Sequence, residues 1–278
     1  MAVIVVPANS RVATPLAVDL GGILPERLAG LDAAAIARLP IEADGRRCLL
    51  GDLFAVSGDA ADERLEFRGD FSRVHRIGAE MGAGWIEVAG DVGRHAGERM
   101  TGGSLAIAGR AGDWLAAEMA GGSVNVGGDA GDNVAAALPG SDVGMRGGMV
   151  IVGGSVGGLA GARMRRGILA VAGGCGPATA LEMRAGSVVA GSGVGPDSAL
   201  GMRRGSLIVL GGPCPIPAGF KPGATWSSPF LSVLLRRLAA SGYGPATAIP
   251  PGSAWQHWHG DALAGGRGEI FRHPGAGD

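Results

Sequence analysis

The sequence predicts an all-β fold, a parallel β-helix of about 19 residues per coil with a short C-terminal helix and irregular termini. Three observations predict it. Seven methionines, Met81, Met100, Met119, Met145, Met164, Met183 and Met202, recur at spacings of 19, 19, 26, 19, 19 and 19 residues. Three positions after each stands a glycine: Gly84, Gly103, Gly122, Gly148, Gly167, Gly186 and Gly205. Then comes a strand with aliphatic residues five and seven positions after the methionine, as in Leu105/Ile107 and Val150/Val152. A short fixed period marks a stacked-repeat architecture. Alternation of period two marks a strand with one buried face, and the glycine density argues against helix. At ~3.3 Å per residue one unit closes a loop of roughly 60 Å, a single β-helical turn, with successive turns ~4.8 Å apart. The glycines fall where a corner needs positive φ or where the neighbouring turn leaves no room for Cβ. The methionine column reads as adaptable core filling.

The elements follow in order. Residues 1–50 form a lead-in, with a strand expected at Val3–Val6. A short Ala-rich helix spans Asp32–Leu39, N-capped by Asp32, striped by Ile36 and Leu39, and stopped by Pro40. Leu49–Asp59 and Leu65–Asp70 read as irregular first coils, since terminal repeats depart from consensus and close the end of the core. Residues 51–212 form the β-helix. The 26-residue spacing holds a seven-residue insertion within Asp129–Gly144, of the kind that loops out on a contact face. Residues 213–278 form a linker, helix and tail packing on the solenoid. Pro213, Pro215, Pro217 and Pro222 extend the chain. Ser228-Pro229 then opens a helix over Phe230–Ala240 with Leu231, Leu234, Leu235 and Leu238 on one face. Trp255, Trp258 and Gly265–Ile270 suggest a final short hairpin.

Composition removes several classes. The net charge of -1 gives no case for nucleic acid or an anionic membrane surface. Lys221 is the only lysine beside many arginines, a skew typical of GC-rich bacterial genomes. Cys48, Cys175 and Cys214 are scattered, without CxxC, and suggest neither zinc ribbon nor disulfide framework. The opening Met1–Pro7 lacks the basic start of a signal peptide, and no stretch reaches the ~20 apolar residues of a membrane span. A soluble cytoplasmic chain is expected.

No GxSxG, HExxH or P-loop motif appears, and the GxG strings belong to the repeat rather than to a strand–helix phosphate site. His257-Trp258-His259 puts two imidazoles at strand spacing, but no carboxylate or cysteine lies near in sequence, so structural or surface histidines are expected. No catalytic residue, metal ligand or cofactor contact is assigned to this chain. The polar columns beside the methionines are more informative. Before them stand Glu80, Arg99, Glu118, Gly144, Arg163, Glu182 and Gly201, whose alternating signs can pair between neighbouring coils. After them come Arg146, Arg165, Arg184 and Arg203, with Arg166 and Arg204 adjacent. Like charges stacked this way destabilise a sheet unless water screens them or an anionic partner or carrier tail binds them. Six residues after the methionine, the outer face turns apolar at Ile151, Ala170, Val189 and Ile208. That stripe is a candidate contact face and needs a cover, either the C-terminal helix or another chain.

Leu39-Pro40-Ile41, Leu50-Gly51-Asp52-Leu53-Phe54-Ala55-Val56-Ser57-Gly58, the Met-x-x-Gly repeat and the tail His259-Gly260-Asp261…Gly266-Arg267-Gly268-Glu269-Ile270 resemble the C subunit of formylmethanofuran dehydrogenase. They resemble equally the C subunit of the formyltransferase/hydrolase complex of methylotrophs. The repeat alone is similar to the C-terminal β-helix of glutamate synthase. The resemblance implies a right-handed β-helix and a non-catalytic scaffold beside an amidohydrolase-like A subunit, a formylmethanofuran dehydrogenase-like B subunit and a formyltransferase D subunit. It implies that metal ions and the methanofuran-type carrier belong to those partners, and that the assembly moves a formyl group between tetrahydromethanopterin and the carrier and releases formate. The Arg-rich composition favours the hydrolase. A molybdenum or tungsten formylmethanofuran dehydrogenase and a glutamate synthase-like structural domain are the alternatives. A polysaccharide-cleaving solenoid ranks last, because the outer columns lack carboxylates and aromatics.

Overall fold

In this computed structural model residues 2–7 and 17–275 are described, and strands dominate them. The chain starts with β1 (Val3–Pro7), β2 (Val18–Asp19), the short helices α1 (Pro25–Leu28) and α2 (Ala33–Ala37), β3 (Pro40–Ala43) and β4 (Arg46–Leu49). Helix α2 is capped as its sequence predicts: the Asp32 carboxylate accepts the Ala35 N–H at 2.7 Å, and Ile36 is fully buried. Next come α3 (Leu50–Leu53), β5 (Phe54–Ser57), β6 (Arg64–Phe67) and β7 (Val74–His75), the last completing a four-stranded sheet with β2, β3 and β4. Leu24, Leu28, Ile36 and Leu50 join the main core, so the lead-in closes one end of it.

One segment departs from expectation. Leu49–Asp59 is no irregular coil: it forms α3 and then β5, which runs antiparallel to β1 (Ile4↔Ser57). The rung that it was expected to fill is taken by β1, which lies parallel to β6 (Val3↔Leu65). Leu65–Asp70 does supply a parallel rung, since β6 pairs in register with the first regular repeat.

Seven strands then recur, one per repeat: β8 (Trp85–Val88), β9 (Ser104–Ile107), β10 (Ser123–Val126), β11 (Met149–Val152), β12 (Ile168–Val171), β13 (Ser187–Ala190) and β14 (Arg204–Val209). All pair in parallel and in register, so Leu105 sits opposite Val124 and Val124 opposite Val150. A second series of parallel bridges runs Phe71↔Val92↔Ala111↔Ala130↔Val156↔Cys175↔Val194 on another side of the repeat. A third set of backbone bonds joins successive methionines, as in Arg165 N–H to Met145 C=O and Arg184 N–H to Met164 C=O, each 2.8 Å. Neighbouring repeats are thus bonded at several places round their circuit.

The seven methionines are fully buried. The glycines three positions later have φ between +71° and +108°. Gly148 shows why no side chain fits: a Cβ would lie 2.8 Å from Met119 Cε and 2.7 Å from the Gly122 oxygen. The methyl groups of Met81, Met119, Met145, Met164 and Met183 pack into the gap left by the glycine of the next repeat. The residue before the methionine is also left-handed at Glu80, Arg99, Glu118, Arg163 and Glu182. Ion pairs along this column offset some of that strain: Arg99 Nε donates to Glu118 at 3.0 Å and Arg163 Nε to Glu182 at 2.9 Å. The inserted loop is tied to the same column, with Leu138 N–H donating to Glu118 and Arg163 Nη1 to the Ser141 carbonyl.

After β14 come β15 (Lys221–Pro222), β16 (Trp226–Ser227), helix α4 (Pro229–Ala240), β17 (Ala254–Gly260) and β18 (Arg267–Arg272). Ser228 stands at the N-cap of α4, but its side chain makes no capping bond. The predicted hairpin is β17–β18, and β18 also continues the main sheet in parallel with β14. Among the described residues, fourteen strands share that sheet.

Candidate functional site

Helix α4 decides which outer surface stays open. Its Leu231, Leu234, Leu235 and Leu238 are buried in one cluster with Ile151, Ala170, Val189 and Ile208. The apolar stripe is therefore covered within the chain by its own helix, the first of the two covers that the sequence left open. At roughly 25 cal/mol per Å² of apolar area, covering it with a tethered helix is favourable without any second chain. The Tyr243 hydroxyl clamps the end of the helix by donating to the Val171 carbonyl at 2.8 Å.

Beside the helix lies a groove of about 860 Å³. Arg165, Arg166, Arg184 and Arg204 line it, over a floor of small residues that includes Gly167, Gly186, Ser187, Gly205 and Ser206. Two groups not picked out as site residues from the sequence join them, Arg267 and Glu269 on β18, and Phe230 of α4 forms a wall. Arg267 sits opposite Arg204 in the β14–β18 register. Ala185 occupies the same repeat position between Arg166 and Arg204, which spaces those two backbones ~10 Å apart across two rungs.

Among the described residues, five guanidiniums thus face one carboxylate. Arg184 has Asp142 at 4.0 Å, an exposed contact of little strength. Among the described residues, no carboxylate lies within ion-pair distance of Arg165, Arg166, Arg204 or Arg267. Glu269 is engaged elsewhere, with Ser206 Oγ donating to it at 3.3 Å and His257 Nε2 lying 3.4 Å away. An adjoining groove of about 600 Å³ shares Arg166 and adds Arg237 from the last turn of α4.

The other two predicted arginines lie apart. Arg146 Nη2 is 3.7 Å from Glu118, and Arg203 is exposed outside the groove lining. Burial alone would raise the Glu118 carboxyl, but hydrogen bonds from Ser141, Arg99 and Leu138 outweigh it and hold the group below its usual range. Arg146 therefore belongs to an internal charge network rather than to the basic groove. Arg267 and Glu269 carry a sequence signal all the same: Arg267-Gly268-Glu269-Ile270 repeats Arg204-Gly205-Ser206-Leu207. Gly265 stands where Met202 would be matched, so the methionine period does not extend to this segment.

Arginines in a fixed row recognise carboxylates or phosphates through paired N–H donors. The spacing of rungs, ~4.8 Å, suits an extended polyanion lying across them.

No family model matches the sequence. The chain is 41% identical over 80 residues to the C subunit of the formyltransferase/hydrolase complex Fhc of Methylorubrum extorquens, covering 29% of this chain and 30% of that protein. It is 35% identical over 77 residues to the C subunit of molybdenum-containing formylmethanofuran dehydrogenase 1 of Methanosarcina barkeri, covering 26% of each. These matches span less than a third of either relative's length. The whole fold is similar to a chain in the crystal structure of the formyltransferase/hydrolase complex from Methylorubrum extorquens, solved with methylofuran. That likeness has a TM-score of 0.87 at 32% identity and covers 97% of this chain and 99% of the other. Fold and groove together define an all-β, repeat-built subunit with an open basic face. The chain belongs to the family of C subunits of formyltransferase/hydrolase and formylmethanofuran dehydrogenase complexes.

Proposed function

We propose that this chain is a non-catalytic structural subunit of a formyltransferase/hydrolase complex. The observation that carries this reading is the end-to-end structural likeness, at 32% identity, to a chain of such a complex. In this reading the assembly moves a formyl group between tetrahydromethanopterin and a methanofuran-type carrier and releases formate. The chemistry belongs to an amidohydrolase-like A subunit and a formyltransferase D subunit, with a formylmethanofuran dehydrogenase-like B subunit beside them in the cytoplasm.

The architecture behind that role is a right-handed parallel β-helix whose rungs run from β6 to β14, with β1 and β18 each adding a parallel strand at an end. Leu24, Leu28 and Ile36 of the lead-in close one end, and helix α4 packs along the side. The in-register parallel ladders on two sides of the repeat support the closed coil. The hand follows from the general preference of parallel strand crossovers for a right-handed path. The basic groove would hold the acidic tail of the carrier or an acidic partner segment, with Arg165, Arg166, Arg184 and Arg204 as contacts. A molybdenum-containing dehydrogenase is the second reading, favoured by the Methanosarcina barkeri relative.

Affinity capture of the chain from its native host, with mass spectrometry of what stays bound, tests the assignment. Amidohydrolase-like and formyltransferase chains together support the hydrolase complex. Iron–sulfur and molybdenum or tungsten subunits select the dehydrogenase, and a chain recovered alone refutes the scaffold role. For the groove, R166A/R204A removes two charge-assisted contacts of about 1.5–3 kcal/mol each. Affinity for an oligoglutamate probe should then fall by roughly two orders of magnitude or more, with assembly intact. Unchanged affinity refutes the groove assignment.

A further inference from the structure

We propose that His257, His259 and Glu269 form a binding site for one divalent transition-metal ion of the zinc class. The sequence offered the two histidines without a third donor. Folding supplies it, because the β17–β18 register puts Glu269 directly opposite His259. One ligand atom from each of the three lies within 4.8 Å of the others. This departs from the expectation that the chain holds no metal.

The arrangement is built rather than casual. His257 is only 5% exposed. Its ring is fixed by stacking on Phe271 at 4.4 Å and 3°, and it meets the edge of the His259 ring at 4.0 Å. Among the described residues its buried Nε2 has no hydrogen-bond partner, yet it points toward Glu269 Oε1 at 3.4 Å. Two ligands of a tetrahedral zinc ion, each ~2.0–2.1 Å from the metal, stand roughly 3.4 Å apart. His257 and Glu269 already meet that spacing. His259 is exposed and Glu269 half-buried, so small side-chain rotations bring the third donor in. Gly223 leaves His259 its seat, since a Cβ there would lie 2.9 Å from Nε2.

Two imidazoles and one carboxylate suit zinc and its neighbours better than calcium or magnesium, which take oxygen donors. Two surrounding groups must give way. Trp226 Nε1 donates to His257 Nδ1 at 3.4 Å, and a metal on Nε2 requires a proton on Nδ1 instead. Trp226 is 41% exposed on the short β16 and can swing outward. Lys221 lies opposite His259 on β15, and its flexible, exposed stem can carry the ammonium into water. With three protein ligands the ion keeps an open position. Because Glu269 also lines the basic groove, the bound ion adds positive charge at the end of that groove.

The test uses the purified full chain, stripped with chelator and titrated with ZnCl2 by calorimetry, with melting followed in parallel. One ion per chain should bind and raise the melting temperature. H257A can fail through misfolding, so H259A and E269Q carry the test, both at accessible positions. Each should keep the metal-free melting temperature and bind zinc about 10-fold or more weakly. No saturable binding to the native chain overturns the proposal. So does undiminished affinity in H259A and E269Q, which would place the ion elsewhere, for instance at His95 and Glu98, 2.6 Å apart.

Discussion

Two glycines with nearly the same backbone separate the effect of left-handed conformation from the effect of repeat stacking. Gly148 has φ +88° and Gly140, in the inserted loop, φ +81°. An alanine at either position takes on left-handed strain of about 1 kcal/mol. At Gly140 nothing lies within 4 Å of the added Cβ, so the strain is the whole cost. At Gly148 the methyl meets the Gly122 oxygen at 2.7 Å and Met119 Cε at 2.8 Å. That oxygen cannot retreat freely, because it accepts the Met149 N–H at 3.1 Å in the ladder between repeats. Overpacking of this kind adds about 1–3 kcal/mol, which brings G148A to about 2–4 kcal/mol. At ~2–4 °C per kcal/mol for a chain of this size class, G140A should lower the melting midpoint by ~2–4 °C and G148A by two or more times as much. Calorimetric melting of the two variants decides it. Equal shifts would refute the argument that the glycine column exists because neighbouring repeats crowd it.

Glu118 is held below the ordinary carboxyl value of 4.5, so its contribution to stability is full above that pH and fades as pH falls through the lowered folded value. E118Q should cost about 1–3 kcal/mol near neutrality, and the gap from the native chain should narrow on acidification, as read from urea midpoints between pH 3 and 7. A gap that stays constant would show that the charge on Glu118 is not what stabilises the column. Tyr243 is the single tyrosine, and burial, then the nearby Cys175, push its hydroxyl above the ordinary 10.0. The native chain should show no phenolate absorbance at 295 nm at a pH where the unfolded chain does, and stability should fall as pH rises past that value; native ionisation near pH 10 would contradict the buried clamp. Y243F should cost only about 0.5–1.5 kcal/mol, because the Val171 carbonyl still accepts the Gly191 N–H at 2.8 Å.

Much of the fold could be read from residue order because the same local problem is solved once per repeat. Met, Gly and the paired aliphatics return at fixed spacing, and each column is buried or left-handed for the same reason in every rung. Helix α4 was legible too, since four leucines at helical spacing need a surface and the stripe from Ile151 to Ile208 is the apolar one. The six arginines looked equivalent in sequence, yet tertiary structure sorted them. Arg146 fell beside buried Glu118, Arg203 fell outside, and the other four were gathered on one side of α4. Nothing local could announce that β1 would take the parallel rung beside β6 and leave the strand of Leu49–Asp59 antiparallel at the sheet's edge, because strand pairing across fifty residues is decided by competition for an edge. The same holds for Glu269. Sequence determined the repeating unit, whose constraints lie within one rung or between adjacent ones. The arginines of the groove share the repeat, but Arg267 and Glu269 joined them only when β18 docked on β14, and the His257–His259–Glu269 cluster formed only when β17 paired with β18, since these members meet through long-range register.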